Sequence, residues 1–183
     1  RAPNYESIED LQRAVEAFAI ETNKRGYNIY IVMNPIRPET ESGSAKDADI
    51  LKRRLLLIDI DRTQKATCPA NDEELQAAKD LANTIEDYLR EKRWDLFVKV
   101  MSGNGYHLYY RPDDLDNTPE MTASVKNVLR RLSRKFDNET VCVDKGVYNA
   151  SRITKVPGTI ARKGKEANGR PYRVAKVVWS RHQ

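Results

Sequence analysis

The sequence predicts an α+β domain in which a mainly antiparallel sheet packs against helices. Runs rich in β-branched and aromatic residues are separated by three segments with helical spacing, and two of these runs are joined directly by a glycine-rich turn. A long aliphatic run, residues 55–58, indicates a central strand that is covered on both faces. Hairpin-joined strands favour an antiparallel sheet, because a parallel sheet needs a long crossover between successive strands.

Three segments have the spacing of amphipathic helices. The first begins at Ser7 and continues until Gly26, and we expect it to be a surface helix that packs one face. The second begins at Asn71, where Glu74 completes a capping box, and the third begins at Thr118 with proline in its first turn. The expected apolar stripe of the first helix consists of Ile8, Leu11, Val15, Phe18 and Thr22.

The predicted strands occupy short apolar runs bounded by turn residues. An Asn-Gly pair at 104–105 predicts a hairpin between the third and fourth strands. A loop is predicted over residues 35–49, and the chain between residues 144 and 172 is predicted to be irregular. The predicted strands are 27–33, 55–61, 96–101, 106–110, 141–143 and 172–179.

Length and composition indicate one domain of 183 residues with a hydrophobic interior of its own. No apolar run approaches the ~18–20 residues of a membrane span, so no membrane association is expected. Cys68 and Cys142 lie far apart and the histidines are not clustered, which argues against a zinc site or a disulfide framework and favours a cytoplasmic protein. The chain begins with Arg1 rather than methionine, so we expect it to be a piece of a longer protein.

Charge is distributed unevenly along the chain. The net charge is +5, but residues 145–183 contain ten lysines and arginines against one acid, Glu166, so the rest of the chain is net acidic. An acidic body with a basic C-terminal segment is typical of a protein that holds phosphates through both metal ions and basic side chains.

Two aspartates end the central strand. Asp59 and Asp61 share a face of that strand with their Cα atoms ~6.5 Å apart, and Asp144 ends another predicted strand. Adjacent carboxylates repel unless a cation lies between them, and hard divalent ions such as Mg²⁺ or Mn²⁺ prefer carboxylate oxygens. The sequence therefore predicts a site for two divalent ions that attracts a triphosphate. The alternative is a polar strand end whose aspartates cap the next turn.

The predicted hairpin has the composition of a phosphate-binding turn. Gly103 and Gly105 would let backbone N–H groups approach phosphate oxygens, while Ser102 and Asn104 add side-chain donors. His107 begins the next strand, where it could donate to a phosphate oxygen. The alternative is an ordinary hairpin followed by a structural histidine.

These pieces resemble the three motifs of the archaeo-eukaryotic primase superfamily: a hydrophobic run with Asp-x-Asp at 58–61, a Ser-x-His-type element at 102–107 and a hydrophobic-Asp pair at 143–144. The likeness is closest to the primase-polymerase domains of plasmid, phage and CRISPR-associated proteins, and it extends over about residues 27–172. Further pieces in the family's order are Asn34-Pro35, Asn149-Ala150-Ser151-Arg152, Gly158-Thr159 and Lys163-Gly164.

The resemblance implies a catalytic core in which an RRM-like sheet carries the acids and a small second α/β unit lies beside it, with 1–183 forming a single catalytic domain. It implies that Asp59, Asp61 and Asp144 are catalytic and bind two Mg²⁺ or Mn²⁺ ions. The nucleotide-binding residues that it implies are Ser102, Gly103, Asn104, Gly105, His107, Arg152 and Lys163.

The implied activity is template-dependent addition of nucleotides to a primer 3′-hydroxyl. The implied partners are template and primer DNA, NTP or dNTP substrates, and replication or CRISPR-associated proteins, fused or separate. The resemblance leaves open whether primers are also initiated and which sugar is preferred.

A first alternative is a phosphatase of the haloacid-dehalogenase type. Asp59, Asp61 and Thr63 fit the Asp-x-Asp-x-Thr motif, in which the first aspartate is a nucleophile. That fold needs the motif on the first strand of a βαβ sheet, whereas here a strand and a long loop precede it.

A second alternative is an RRM-like module that binds nucleic acid without catalysis. Tyrosines on a sheet can stack bases, as they do in RNA-binding domains. Three acids would then have no purpose, because carboxylates without metal oppose phosphate binding. The tyrosines in question are Tyr27, Tyr30, Tyr109 and Tyr110.

Overall fold

The computed structural model describes residues 6–40, 43–64 and 67–181. That part of the chain forms three α-helices and eleven strands, with a short 3₁₀ helix at Asp47–Asp49. The helices are α1 (Ile8–Lys24), α2 (Asp72–Glu91) and α3 (Pro119–Phe136). The strands are β1 (Tyr30–Val32), β2 (Lys52–Arg53), β3 (Leu56–Arg62), β4 (Leu96–Met101), β5 (Tyr106–Tyr110), β6 (Leu115–Asp116), β7 (Val141–Val143), β8 (Ile153–Lys155), β9 (Ile160–Ala161), β10 (Arg173–Val174) and β11 (Lys176–Ser180).

A central sheet of five strands has the order β11-β4-β5-β3-β7, and every neighbouring pair is antiparallel. Ile58, Ile60 and Arg62 alternate onto one face of β3, and the Arg62 guanidinium reaches Glu74 of α2 at 3.2 Å. Helix α2 covers this face along β3, β5 and β7, and α3 packs beside it against β7. The predicted α+β fold with a mainly antiparallel sheet and flanking helices is confirmed.

The predicted helix starts are present as hydrogen bonds. Asn71 accepts from the Glu74 N–H at 2.8 Å and Glu74 accepts from the Asn71 N–H at 3.0 Å, which is the expected capping box. Thr118 accepts from the Met121 N–H at 3.2 Å at the start of α3. Among the described residues, no helix combines the length and apolarity that crossing a membrane requires.

The predicted hairpin joins β4 to β5, but its turn lies one residue earlier than the Asn-Gly pair suggests. Ser102 donates its N–H to the Gly105 carbonyl at 2.9 Å, which leaves Gly103 and Asn104 at the tip. Gly103 has a φ of +104°, the left-handed conformation that a type II′ turn needs at its first central residue.

A small second unit contains α1 and two strand pairs, β1 with β8 and β9 with β10. Asn23 of α1 joins helix to strand, because its side chain donates to the Ile160 carbonyl at 3.0 Å and accepts from the Ile160 N–H at 2.8 Å. Strands β8 and β9 fall within the segment predicted to be irregular. The strand predicted over 172–179 is divided, with β10 in the second unit and β11 at the edge of the central sheet.

Two expectations for the N-terminal region are corrected. Strand β1 is shorter than the predicted 27–33, and the apolar stripe of α1 does not pack: Ile8 and Phe18 are 71% and 65% exposed, while Ala19 and Asn23 are the helix's buried residues. The helix attaches through its last turns, so the stripe upstream faces outward. Residues 41–42 of the predicted loop and Arg1 lie outside the described residues.

Candidate active site

The three acids predicted from the sequence lie on adjacent strands. Asp59 and Asp61 alternate with the buried isoleucines of β3 and so occupy the face away from α2. Strand β7 runs beside β3 with Asp61 opposite Cys142, and the Asp144 N–H donates to the Asp59 carbonyl at 2.8 Å. The end of β7 thus brings Asp144 next to Asp59.

The electrostatic surroundings of Asp59 oppose a free negative charge. Burial raises the pKa of its carboxyl, and the charges of Asp61 and Asp144 raise this pKa further. The opposing influences come from His107 and Arg152, which lower it. An ionised Asp59 would therefore be stabilised by a cation.

His107 faces the same acid across the sheet. It pairs with Asp59 in the β3–β5 ladder, its Nε2 lies 3.5 Å from Asp59 Oδ1, and the residue is 7% exposed. On its other side, Nδ1 lies 3.1 Å from the Tyr109 hydroxyl. The imidazole is thus held between a carboxylate and a phenol.

A pocket of about 440 Å³ lies between the sheet and the second unit. Most of the sequence-predicted site residues line it, which shows that the fold brings together segments more than 100 positions apart. Gly103, Gly105 and Asp144 do not line it. The predicted residues that do are Asp59, Asp61, Ser102, Asn104, His107, Arg152 and Lys163.

The two glycines of the hairpin have steric reasons for their presence. A Cβ on Gly103 would overlap the Ala161 side chain of β9, and a Cβ on Gly105 would overlap the Ile60 carbonyl of β3. Both allow the hairpin tip to pack closely against its neighbours. Asn104 is also engaged, since its Oδ1 accepts from the Ala70 N–H at 2.9 Å.

The wall opposite the acids is basic. Lys163 places its ammonium 3.1 Å from Asp61 Oδ2. Lys155 is buried and donates to the Ile160 carbonyl at 2.9 Å; burial, aided by the charge of Arg162, lowers its pKa to about 8. Nη1 of Arg162 and Nε of Arg152 are buried without a hydrogen-bond partner among the described residues. This wall therefore has unused capacity to donate to an anion.

Asp59, Asp61 and Asp144 provide the carboxylate oxygens that hard divalent cations prefer. The charges of Asp61 and Asp144 also disfavour an ionised Asp59, which a bound cation would offset. Within residues 6–40, 43–64 and 67–181, however, no three carboxylate, imidazole or thiol groups lie close enough to hold a metal ion. Lys163 is bound to Asp61, and Asp144 Oδ1 accepts from the Gly146 N–H at 2.7 Å. Cation binding would need these carboxylates to turn toward one another.

Three uncharged polar residues of the pocket were not assigned to the site from the sequence: Asn28, Tyr30 and Thr154. Asn28 bonds the Arg162 backbone on both sides, accepting from its N–H at 2.8 Å and donating to its carbonyl at 2.7 Å. A polar residue within the apolar run 27–33 was a usable signal for Asn28. Thr154 had none, because its strand was not predicted.

The structure disfavours the phosphatase alternative and restricts the base-stacking alternative to two of its four tyrosines. The Asp-x-Asp strand β3 lies between two antiparallel neighbours, whereas a haloacid-dehalogenase fold needs it in a parallel sheet. For the base-stacking alternative, Tyr109 and Tyr110 are buried and unavailable, while Tyr27 and Tyr30 are exposed.

An antiparallel sheet with acids on its open face, beside a small α/β unit, is the arrangement expected from the sequence resemblance. Comparison with solved structures agrees. The chain is similar to the archaeo-eukaryotic primase domain of the primase-polymerase of cyanophage S-2L, with a TM-score of 0.52 and 16% identity over 91% of this chain and 70% of that one. This likeness confirms the predicted fold. No family model and no curated protein matches the chain.

Proposed function

We propose that this chain is a template-dependent nucleotidyltransferase of the primase-polymerase kind. The observation that supports the proposal is the composition of the pocket, in which carboxylates on β3 face basic side chains from the second unit. A nucleoside triphosphate bound with divalent cations requires this combination, since carboxylates hold the metal and basic groups hold the phosphates. The pocket volume of about 440 Å³ suits a ligand of that size.

In this proposal Asp59, Asp61 and Asp144 would hold two Mg²⁺ or Mn²⁺ ions, which when bound would stabilise the attacking and leaving oxygens. The primer 3′-hydroxyl attacks the α-phosphate and pyrophosphate leaves. The chain's own contribution is placement. Asp59 and Asp61 are fixed by the ladder of β3, and Asp144 by its backbone bond to Asp59.

The basic wall would bind the triphosphate. Arg162 and Arg152 line the pocket, and each has a guanidinium nitrogen with no partner among the described residues. These nitrogens are buried, so binding a phosphate would require the side chains to turn toward the pocket. Lys163 would exchange Asp61 for a phosphate oxygen, which frees that carboxylate for a cation. Ser102 and His107 would donate to the triphosphate from the sheet side.

The finer assignment is to the plasmid, phage or CRISPR-associated type of primase-polymerase, acting on primed template DNA. Its support is the order of the sequence motifs, to which the structure adds a reason for Asn34. This buried amide accepts from the Arg54 and Leu55 N–H groups at 2.8 and 3.0 Å and donates to the Ala150 carbonyl at 3.0 Å. It therefore ties the segment after β1 to the segment that leads into β3 and to the segment between β7 and β8.

Primer extension tests the proposal. A 5′-labelled primer annealed to a longer template is incubated with the protein, Mg²⁺ or Mn²⁺, and NTPs or dNTPs. We expect extension that requires the template and the divalent ion. His107→Ala should chiefly raise the nucleotide KM.

The control is the same reaction with EDTA or with an unannealed template strand. Absence of extension with every combination of metal and nucleotide, by protein that is folded and monodisperse, would remove the assignment.

A further inference from the structure

The buried polar groups behind His107 form a chain that crosses from the second unit to the sheet. Tyr109 and His107 are two residues apart on β5 and share its open face, with the phenol oxygen 3.1 Å from Nδ1. Thr154 lies on β8 and is hydrogen-bonded to Tyr109 through its side chain. All three residues are more than nine-tenths buried.

The direction of these bonds follows from the proton inventory. Burial raises the pKa of Tyr109 to about 12, so the phenol keeps its proton at neutral pH. The Thr154 hydroxyl can rotate to donate to the phenol oxygen. The phenol proton is then free to be donated to His107.

The surroundings of the other ring nitrogen, Nε2, indicate the same tautomer of His107. Nε2 of His107 faces Oδ1 of Asp59 at 3.5 Å, and an ionised carboxylate can only accept. Nδ1 must therefore be the acceptor and Nε2 must carry the hydrogen. A neutral imidazole has one nitrogen of each kind, so both neighbours select the same tautomer.

The geometry points to Tyr109 as a positioning residue that, supported by Thr154, fixes His107 in the Nε2–H tautomer and aims that N–H at the anion in the pocket. The inference rests on the proposed function only for the identity of the anion, the triphosphate of a nucleotide. It also gives β8 a role, since this strand of the second unit sets the hydrogen bonding of a side chain on the sheet.

The tautomer can be measured in the free protein. The chain has two histidines, His107 and His182, so a ¹⁵N-histidine sample gives two imidazole patterns and His182→Gln assigns them. At pH 8.5 we expect His107 to be the Nε2–H tautomer. Tyr109→Phe should give a mixture of tautomers, and Thr154→Val a smaller change in the same direction.

Tyr110→Phe is the matched control. Tyr110 is the neighbouring buried tyrosine on the opposite face, and its hydroxyl has no partner among the described residues. Removing it deletes the same atom without touching His107, so the imidazole pattern should stay that of the wild type. An Nδ1–H tautomer in the wild type, or an unchanged pattern in Tyr109→Phe, would overturn the inference.

Kinetics supply the second readout. Tyr109→Phe should raise the nucleotide KM about three- to tenfold, the value of one hydrogen bond, with kcat within about twofold of the wild type. A fall in kcat at unchanged KM would overturn the positioning role. The imidazole spectra need no nucleotide, so a wild-type protein that fails to extend primers but shows the expected tautomers refutes the proposed function alone.

Discussion

The two faces of the central sheet are built by the same strands and have opposite chemistry. On β3, Ile58 and Ile60 point toward α2 and are fully buried, whereas Asp59 and Asp61 point toward the second unit. On β5, Tyr110 lies on the helix side and Tyr109 on the open side, where it bonds to His107. One face therefore contributes to stability through apolar burial, and the other gathers charged and polar side chains.

This difference explains why the open face needs a second unit. A sheet whose one side carries adjacent carboxylates gains little from packing there, and burial makes their charge less favourable. The second unit covers that side with cations, Lys163 against Asp61 and Arg152 near Asp59. The resulting pocket has charged side chains on both walls, as the proposed function requires.

The largest expected effect is the loss of primer extension when Asp59, on the open face of the sheet, is replaced. Asp59→Asn should reduce primer extension by on the order of a thousandfold or more, because a proposed metal ligand is lost. Stability should be unchanged or increased, because the substitution removes a charge that burial and neighbouring acids disfavour. Extension and thermal unfolding are measured side by side, with Asp113→Asn as the charge-matched control on the β5–β6 connection. Primer extension at the wild-type rate by Asp59→Asn would contradict a metal-binding role for the open face.

The next position along the strand should behave in the opposite way. Ile60 is fully buried under α2, so Ile60→Ala should lower the free energy of unfolding by about 2–5 kcal/mol in denaturant titrations. The fraction that remains folded should keep the wild-type nucleotide KM. Ile31→Ala, at an exposed site on β1, is the control and should cost little. Lost activity at full stability would contradict the assignment of faces.

Arg162 tests the basic wall. Its buried Nη1 has no partner among the described residues, so Arg162→Gln should weaken nucleoside triphosphate binding about 10- to 100-fold with little effect on folding. Titration calorimetry measures the affinity. Lys165→Gln removes the same charge from an exposed position outside the pocket and should leave binding nearly unchanged. Equal losses in both variants would indicate a general charge effect.

The loss of stability at low pH should depend on Glu74, which belongs to α2 on the face of the sheet that this helix covers. Glu74 is bound by both nitrogens of the Arg170 fork at 2.7 and 3.0 Å, which lowers its pKa from 4.5 to about 2. A carboxyl with a depressed folded-state pKa stabilises the protein above its unfolded pKa, and this is lost as the pH falls from about 4.5 toward 2.

Over that pH range the free energy of unfolding of the wild type should fall by about 1–2 kcal/mol more than that of Glu74→Gln. This is less than the pKa shift of Glu74 alone would give, because water partly screens the ion pair. Denaturant unfolding at several pH values measures the difference. Parallel pH curves for the two proteins would show that the Arg170 contact contributes nothing.

The parts that sequence predicts well are those whose signal is local. The capping box at Asn71, the proline start of α3 and the glycine hairpin each depend on residues that are close in sequence, and all three are present. Strands β8 and β9 were missed because they have two or three residues and owe their pairing to β1 and β10, which are distant or short. No local pattern carries such a contact.

The site shows the same limit. Asp59 and Asp61 share a face as strand alternation predicts, and the pairing of β3 with β5 places His107 beside Asp59. The apolar stripe on α1 misled the packing prediction, because amphipathic spacing shows which side is apolar and not whether anything covers it. Thr154 was invisible for a related reason, since its importance lies in a partner 45 positions away, Tyr109.

The most direct test of the account is a crystal of the protein soaked with Mn²⁺ and a nucleoside triphosphate and measured at the manganese absorption edge. We expect anomalous peaks bound by Asp59 and Asp61, the triphosphate against Arg162, and the Lys163 ammonium withdrawn from Asp61. A bound triphosphate with manganese away from these carboxylates, or with the Lys163–Asp61 pair intact, would contradict the claim that the open face of the sheet is a metal-dependent nucleotidyl-transfer site.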